Sequence, residues 1–227
     1  MRLSLFLLLA MVLMPGAAAP QARAQEAALY VVSYVEVAPS ASAAAAGLLR
    51  QLADAARKED GNMRFEVLER RAPPNQFAIV SVWRDQKAYD AFAGSVPNKE
   101  FREKIKPHLI SAIDDRLHGG MEIASAAVES TPGAVFVLTH VDVPPPQKDA
   151  CIALLKSLVG ESRKEAGAVR FEVFQQTSRP NHFSVVEIWK DDKAYQAHIT
   201  AEHTRGFRER LTPMSGALYD ERLYKAL

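Results

Sequence analysis

The 227-residue sequence has a single cysteine, Cys151, so no intrachain disulfide can hold it together. Cys151 stands in an Ala/Leu-rich helical stretch, where a small buried thiol is the ordinary reading. After the first two dozen residues there is no Gly-rich phosphate loop, no cysteine pair at zinc spacing, no His-Glu-x-x-His and no Gly-x-Ser-x-Gly. Nucleotide, structural-zinc and serine-hydrolase chemistry lose their usual motifs, and no metal or cofactor site is read from spacing. Net charge is also scarce, with 28 Lys+Arg against 27 Asp+Glu. That balance argues against a nucleic-acid partner or a polybasic membrane surface.

The start of the chain has the order of an export signal: Arg2, an apolar run from Leu3 to Met14, Pro15-Gly16, then small residues ending Ala22-Arg23-Ala24. The run falls short of the roughly 20 residues that span a bilayer, and no other segment could span one. We read residues 1–24 as a signal peptide cleaved after Ala24, which places the mature chain in the periplasm or outside the cell, free of the membrane. Cleavage removes Arg2 and Arg23 and no acid, so 28 bases become 26 against 27 acids, a charge of −1.

Sliding the sequence by 106 positions aligns Leu29 to Leu117 with Val135 to Leu223 without a gap. About a third of the aligned residues are identical, which marks a tandem repeat. Arg64-Phe65-Glu66-Val67 returns as Arg170-Phe171-Glu172-Val173, Pro74-Asn75 as Pro180-Asn181, and Trp83 as Trp189. Arg57-Lys58-Glu59 likewise returns as Arg163-Lys164-Glu165. The domains are residues 25–121 and 134–227, joined by a short linker over 122–133 rich in Ala, Ser, Thr and Glu.

Both copies parse alike. Tyr30 to Val37 and Phe136 to Val143 are β-branched and aromatic first strands, each followed by a helix that Gly61 or Gly167 stops. Two strands joined by Pro-Asn turns follow, ending at Trp83 and Trp189. A helical region over about Lys87 to Ile110, or Lys193 to Met214, and a last strand near Asp114 to His118, or Asp220 to Tyr224, complete a ferredoxin-like βαββαβ unit in the α+β class. The third strands are apolar on both faces, and helices cover only one face of such a sheet. The other face must meet the equivalent sheet, giving an intrachain pseudo-dimer.

Candidate chemistry gathers in the second copy. Glu187 and Trp189 share a face of the third strand, and a buried carboxylate there would hold its proton toward neutrality. The plain alternative is a strand-end glutamate paired with a surface cation. His198 lies three residues beyond Tyr195, on the same side of the helix, where an imidazole suits a general base. His203 sits near a break in the helical region, and His140 projects from the first strand. The first copy has Ser81, Phe92, Pro97 and Tyr34 at these positions. It is apolar or neutral where its sister is ionisable, which points to one working pocket.

The run from Glu187 through Trp189 and His198 to His203, preceded by Gly167-Ala-Val-Arg-Phe-Glu-Val and Pro180-Asn181-His-Phe, resembles the antibiotic biosynthesis monooxygenase domain family. Both copies resemble it over nearly their full length. The resemblance implies a dimeric α+β barrel with pockets between sheet and helices. It also implies a cofactor-independent monooxygenase that joins a small aromatic or quinol-type substrate to dioxygen. It assigns His198 as base, Glu187 and His203 as orienting partners, Trp189 and Phe171 as pocket wall, and His140 as oxyanion donor. Asn181 and Tyr195 complete the substrate-binding set. The same pattern occurs in isomerases that degrade a quorum-signal sugar phosphate, and a carrier or sensor of a small apolar ligand would need the pocket alone. A homodimer of the fused chain is a further expectation.

Overall fold

The computed structural model describes residues 28–124, 132–217 and 219–227; the export-signal reading and most of the linker reading lie outside them. The first unit runs β1 (Leu29–Glu36), α1 (Ser42–Ala56), β2 (Asn62–Arg70), β3 (Gln76–Trp83), α2 (Gln86–Gly94), α3 (Val96–Ile105) and β4 (Asp114–Glu122). The second repeats it as β5 (Val135–Asp142), α4 (Lys148–Ser162), β6 (Ala168–Gln176), β7 (His182–Trp189), α5 (Asp192–Thr200), α6 (Glu202–Leu211) and β8 (Asp220–Ala226). Short 3₁₀ turns precede α1 and α4 and follow α3 and α6.

Strand alternation sorts side chains into two kinds of core. Leu29, Val31 and Val35 of β1 pack with Leu49, Leu52 and Ala56 of α1, while Tyr30 and Val32 turn the other way. On β7, Phe183, Val185 and Trp189 meet the helices, and Val186 and Ile188 turn inward. The inward residues form a third cluster with Tyr30, Leu68, Phe136, Leu138, Phe174 and Tyr224. This cluster is the cover that the two-sided third strands require.

The sheets face each other and also join edge to edge, in the closed order β1-β3-β2-β8-β5-β7-β6-β4. β2 pairs with β8 through Leu68↔Ala226, and β4 with β6 through His118↔Gln176, so the barrel leaves no open edge to template aggregation. Across the barrel the repeats exchange charges reciprocally. Arg64 grips Glu172 at 2.7 and 3.4 Å, and Arg170 grips Glu66 at 2.5 and 2.9 Å. Such a pair of pairs is what two-fold symmetry produces.

The helical region of each unit is two helices. Ser95 and Ala201 are extended and break it, and the Ser95 hydroxyl accepts the Asn98 N–H to cap α3. Strand β4 extends through Glu122, into the segment read as linker. Asp114 to His118 therefore understates this strand.

Candidate active site

Helix α5 is seated by two local features. The Asp191 carboxylate accepts the Ala194 N–H at 2.7 Å and caps its start. Gly167 lets its first turn lie against the backbone before β6, since a Cβ there would stand 2.2 Å from Ala194 Cβ. This seating buries Tyr195 and His198 against β7.

His198 lies over the Trp189 indole, ring centroids 4.4 Å apart and planes 26° apart, with the Phe171 ring edge-on at 5.7 Å. Its Nδ1 is 2.7 Å from Glu165 Oε1, and His203 Nε2 is 3.0 Å from the same oxygen. Thr204 Oγ1 lies 3.3 Å from the same Nδ1. On the other side, His198 Nε2 stands 3.7 Å from Glu187 Oε2, which accepts the Trp189 indole N–H at 2.8 Å. One line of groups therefore runs from a part-exposed edge at His203 and Glu165, through His198, to a carboxyl 2% exposed.

Burial sets the protonation along this line. Desolvation raises Glu187 to about 8 against the lowering effect of the Trp189 bond, so it is a neutral acid at pH 7. Desolvation also lowers His198, opposed by its hydrogen bond to Glu165. The imidazole is then neutral, and its contact with Glu165 is a hydrogen bond rather than an ion pair. With Nδ1–H donating to Glu165, the Nε2 lone pair is left facing the inner carboxyl. An acid and a base thus meet in a water-poor setting.

The first unit keeps the frame and lacks the chemistry. Phe92 stacks on Trp83 at 4.7 Å and 24°, and the Trp83 N–H donates to Ser81 Oγ at 3.0 Å. Beside them a cavity of about 20 Å³, room for roughly one water, runs past Tyr89, Asn98 and Arg102.

The other residues singled out in the sequence divide. Tyr195 is buried beside the cluster and its hydroxyl donates to Glu221, which also accepts Arg208 Nη2 at 2.7 Å. His140 and Asn181 lie elsewhere. His140 is on the opposite face of β5 from Val137 and Val141 and lines the barrel mouth, so strand parity removes it as an oxyanion donor here. The Asn181 side chain donates to the Val143 carbonyl at 2.6 Å, fastening the hairpin turn as Asn75 does with Val37. This bond places the Asn181 side chain at the turn, outside the cluster around His198.

Glu165, Glu221 and Arg208 are members that residue-by-residue reading did not single out. The repeat alignment conceals Glu165, because the first copy has Glu59 there. A cavity of about 580 Å³ opens against Arg208, Leu211, Thr212 and Tyr219, within the size range of small-molecule sites. Arg208, in the wall of this cavity, hydrogen-bonds Glu221, and both act electrostatically on Glu187.

The antibiotic biosynthesis monooxygenase family model matches residues 28–104 and 134–210, once on each unit. A Bacillus subtilis protein named "Putative monooxygenase YcnE" is 29% identical over 73 residues, 32% of this chain and 77% of that relative. "Uncharacterized protein sll1783" of Synechocystis is 22% identical over 98 residues, 43% of this chain and 67% of its own. A Fusobacterium nucleatum structure described as a "Putative monooxygenase" superposes over 88% of this chain and 93% of its own, with a TM-score of 0.79 and 16% identity. An "anthrone oxidase-like protein" superposes over 90% of this chain and 93% of its own, with a TM-score of 0.72 and 14% identity. These two likenesses establish the shared barrel. With more than half of its length matched, the chain belongs to the antibiotic biosynthesis monooxygenase family.

Proposed function

We propose that the second unit is a cofactor-independent monooxygenase site for a small, electron-rich aromatic substrate of the quinol type. The observation that carries this reading is His198 Nε2 standing 3.7 Å from the buried Glu187 carboxyl, where burial lowers the imidazole and raises the acid, in the unit whose sister has Phe92 and Ser81. His198 takes a proton from the substrate, and the resulting anion passes one electron to dioxygen. Recombination of the radical pair forms a C–O bond at a carbon bearing hydrogen. Loss of water from the hydroperoxide leaves a carbonyl, with one oxygen retained and the other released as water. Glu165 holds the imidazole tautomer, Glu187 exchanges the proton, and Trp189 and Phe171 wall the site against water.

Family membership supports a monooxygenase-like, small-molecule role in the coarse sense. Oxygen-electrode assays against a panel of quinols and related phenols test the finer one. Substrate-dependent uptake that requires His198 supports it; binding without uptake sinks it. The same acid–base pair also suits an isomerase, which would turn over substrate without consuming oxygen.

A further inference from the structure

At one mouth of the barrel, away from the cluster around His198, two histidines and an aspartate converge. His140 and Asp142 are two residues apart on the inward side of β5, and His182 opens β7 directly opposite Asp142 in the register. His140 Nε2 stands 3.2 Å from His182 Nδ1, and His182 Nε2 is 3.5 Å from Asp142 Oδ1. One ligating atom from each lies within 4.8 Å of the others.

Proton bookkeeping leaves this cluster incomplete. One of the two facing nitrogens must donate to the other, and His140 Nδ1 is buried with no hydrogen-bond partner. The line through Glu165 differs, because each of its histidines meets a carboxylate oxygen that a ring N–H satisfies. The first unit also closes its account at this place. It has Tyr34, Glu36 and Gln76, and the Gln76 amide donates to Glu36 Oε1 at 2.6 Å. The two histidines of the second unit share one proton between their facing nitrogens, and loss of that proton turns both nitrogens toward one ion.

The spacing suits a cation. Two imidazole nitrogens on one tetrahedral ion, each at about 2.0–2.1 Å, stand roughly 3.3 Å apart. A carboxylate on the far N–H of a ligating histidine is the usual way its ring is held, and Asp142 is placed to do this for His182. His140 also lines a cavity of about 200 Å³ with room for further ligands or water. The two guanidiniums in its wall are occupied: Arg116 by Asp114 at 2.7 Å and Arg222 by Asp220 at 2.5 Å. Asp142 faces His182 while Arg116 and Arg179 also act on that ring, so ligation here rests on the paired imidazoles and not on net charge.

We infer that His140 and His182, oriented by Asp142, form a binding site for a divalent transition-metal ion of the zinc class. Imidazole ligands select zinc, copper or nickel over magnesium and calcium. The ion sits where strands of both units line one cavity, so its binding steadies the barrel mouth.

Calorimetric titration of the full mature chain with zinc alone, with magnesium as control, tests the site. Zinc should bind and raise the melting temperature, and magnesium should do neither. His140→Tyr and His182→Gln, which install the first unit's residues, should abolish zinc binding, and Asp142→Asn should weaken it roughly 10–100-fold. His203→Ala should leave it intact. In wild-type protein, the imidazole NMR signals of His140 and His182 should shift before those of His198 and His203, a readout that depends on no variant folding. No zinc uptake, uptake unaffected by both histidine changes, or first shifts at His198 and His203 would overturn the inference.

Discussion

His198 rests on Trp189 as Phe92 rests on Trp83: 4.4 Å and 26° in one unit, 4.7 Å and 24° in the other. The second unit has placed an imidazole in an aromatic slot without rebuilding the slot. The stacking partner is common to both units, so the difference between them is chemical rather than architectural. His198→Phe should therefore fold with little change in melting temperature, while quinol-dependent oxygen uptake falls roughly 10²–10⁴-fold. Phe92→His should leave uptake nearly unaltered. Full activity in His198→Phe would remove the base assignment.

Stability should depend on pH through Glu187. Its pKa rises from 4.5 unfolded to about 8 folded, so its contribution is fully present below 4.5 and lost as pH climbs through 8. Inside that window stability drops by up to about 1.4 kcal/mol per pH unit. His198 works in the opposite sense, as do His118, His140 and His182, since burial lowers all four folded pKa values; these contributions grow as pH rises and level off only about one unit above the ordinary histidine value of about 6.5. Urea unfolding of wild type and Glu187→Gln at pH 6.5 and 8.0 isolates the glutamate in the difference between the two proteins, because the histidines are common to both. Over that interval wild type should lose on the order of 1–2 kcal/mol relative to Glu187→Gln. Equal slopes would mean that Glu187 is ionised in the folded protein.

Gly167 tests how α5 is seated. Its backbone φ is not positive, yet an added methyl would overlap Ala194 Cβ at 2.2 Å. Gly167→Ala should cost about 1–3 kcal/mol, as overpacking does, and Gly167→Ala with Ala194→Gly should recover most of it. If the double variant is no more stable than the single, the helix is held off by something other than this contact.

The reciprocal ion pairs predict the behaviour of a severed half. The repeat places Arg170 and Glu172 where Arg64 and Glu66 stand, so two copies of the second unit could exchange Arg170–Glu172 bonds across a symmetric barrel. Residues 134–227 alone should therefore run as a dimer in light-scattering chromatography, closing the edges that β6 and β8 would otherwise expose. A stable monomer with cooperative unfolding would contradict this.

The repeat, the βαββαβ order and the need for a second cover on the third strands were all legible in the sequence, because each is written in local spacing. Edge-to-edge closure into a barrel was legible only through the family resemblance, since Leu68↔Ala226 and His118↔Gln176 are long-range pairings that leave no local signal. In the site, Glu187, Trp189 and His198 were readable from strand and helix periodicity. His140 was misplaced because a strand residue's face is fixed only relative to its neighbours, and those of His140 put it on the barrel side. Glu165 escaped because a search for differences between copies passes over a residue that both retain. Its role arises only when His198 and His203 are brought to it from more than 30 positions away.

The covalent joining of the two units also bears on how such a protein can change. In an assembly of identical subunits every substitution is written twice, so a mutation that suits one site is forced on the other and on the shared barrel. Here each half is encoded separately. The second unit could acquire Glu187, His198 and His203 while the first kept Ser81, Phe92 and Pro97 and continued to supply half of the closed sheet. One half is free to carry the cost of burying acid and base, and the other serves as its unaltered counterweight.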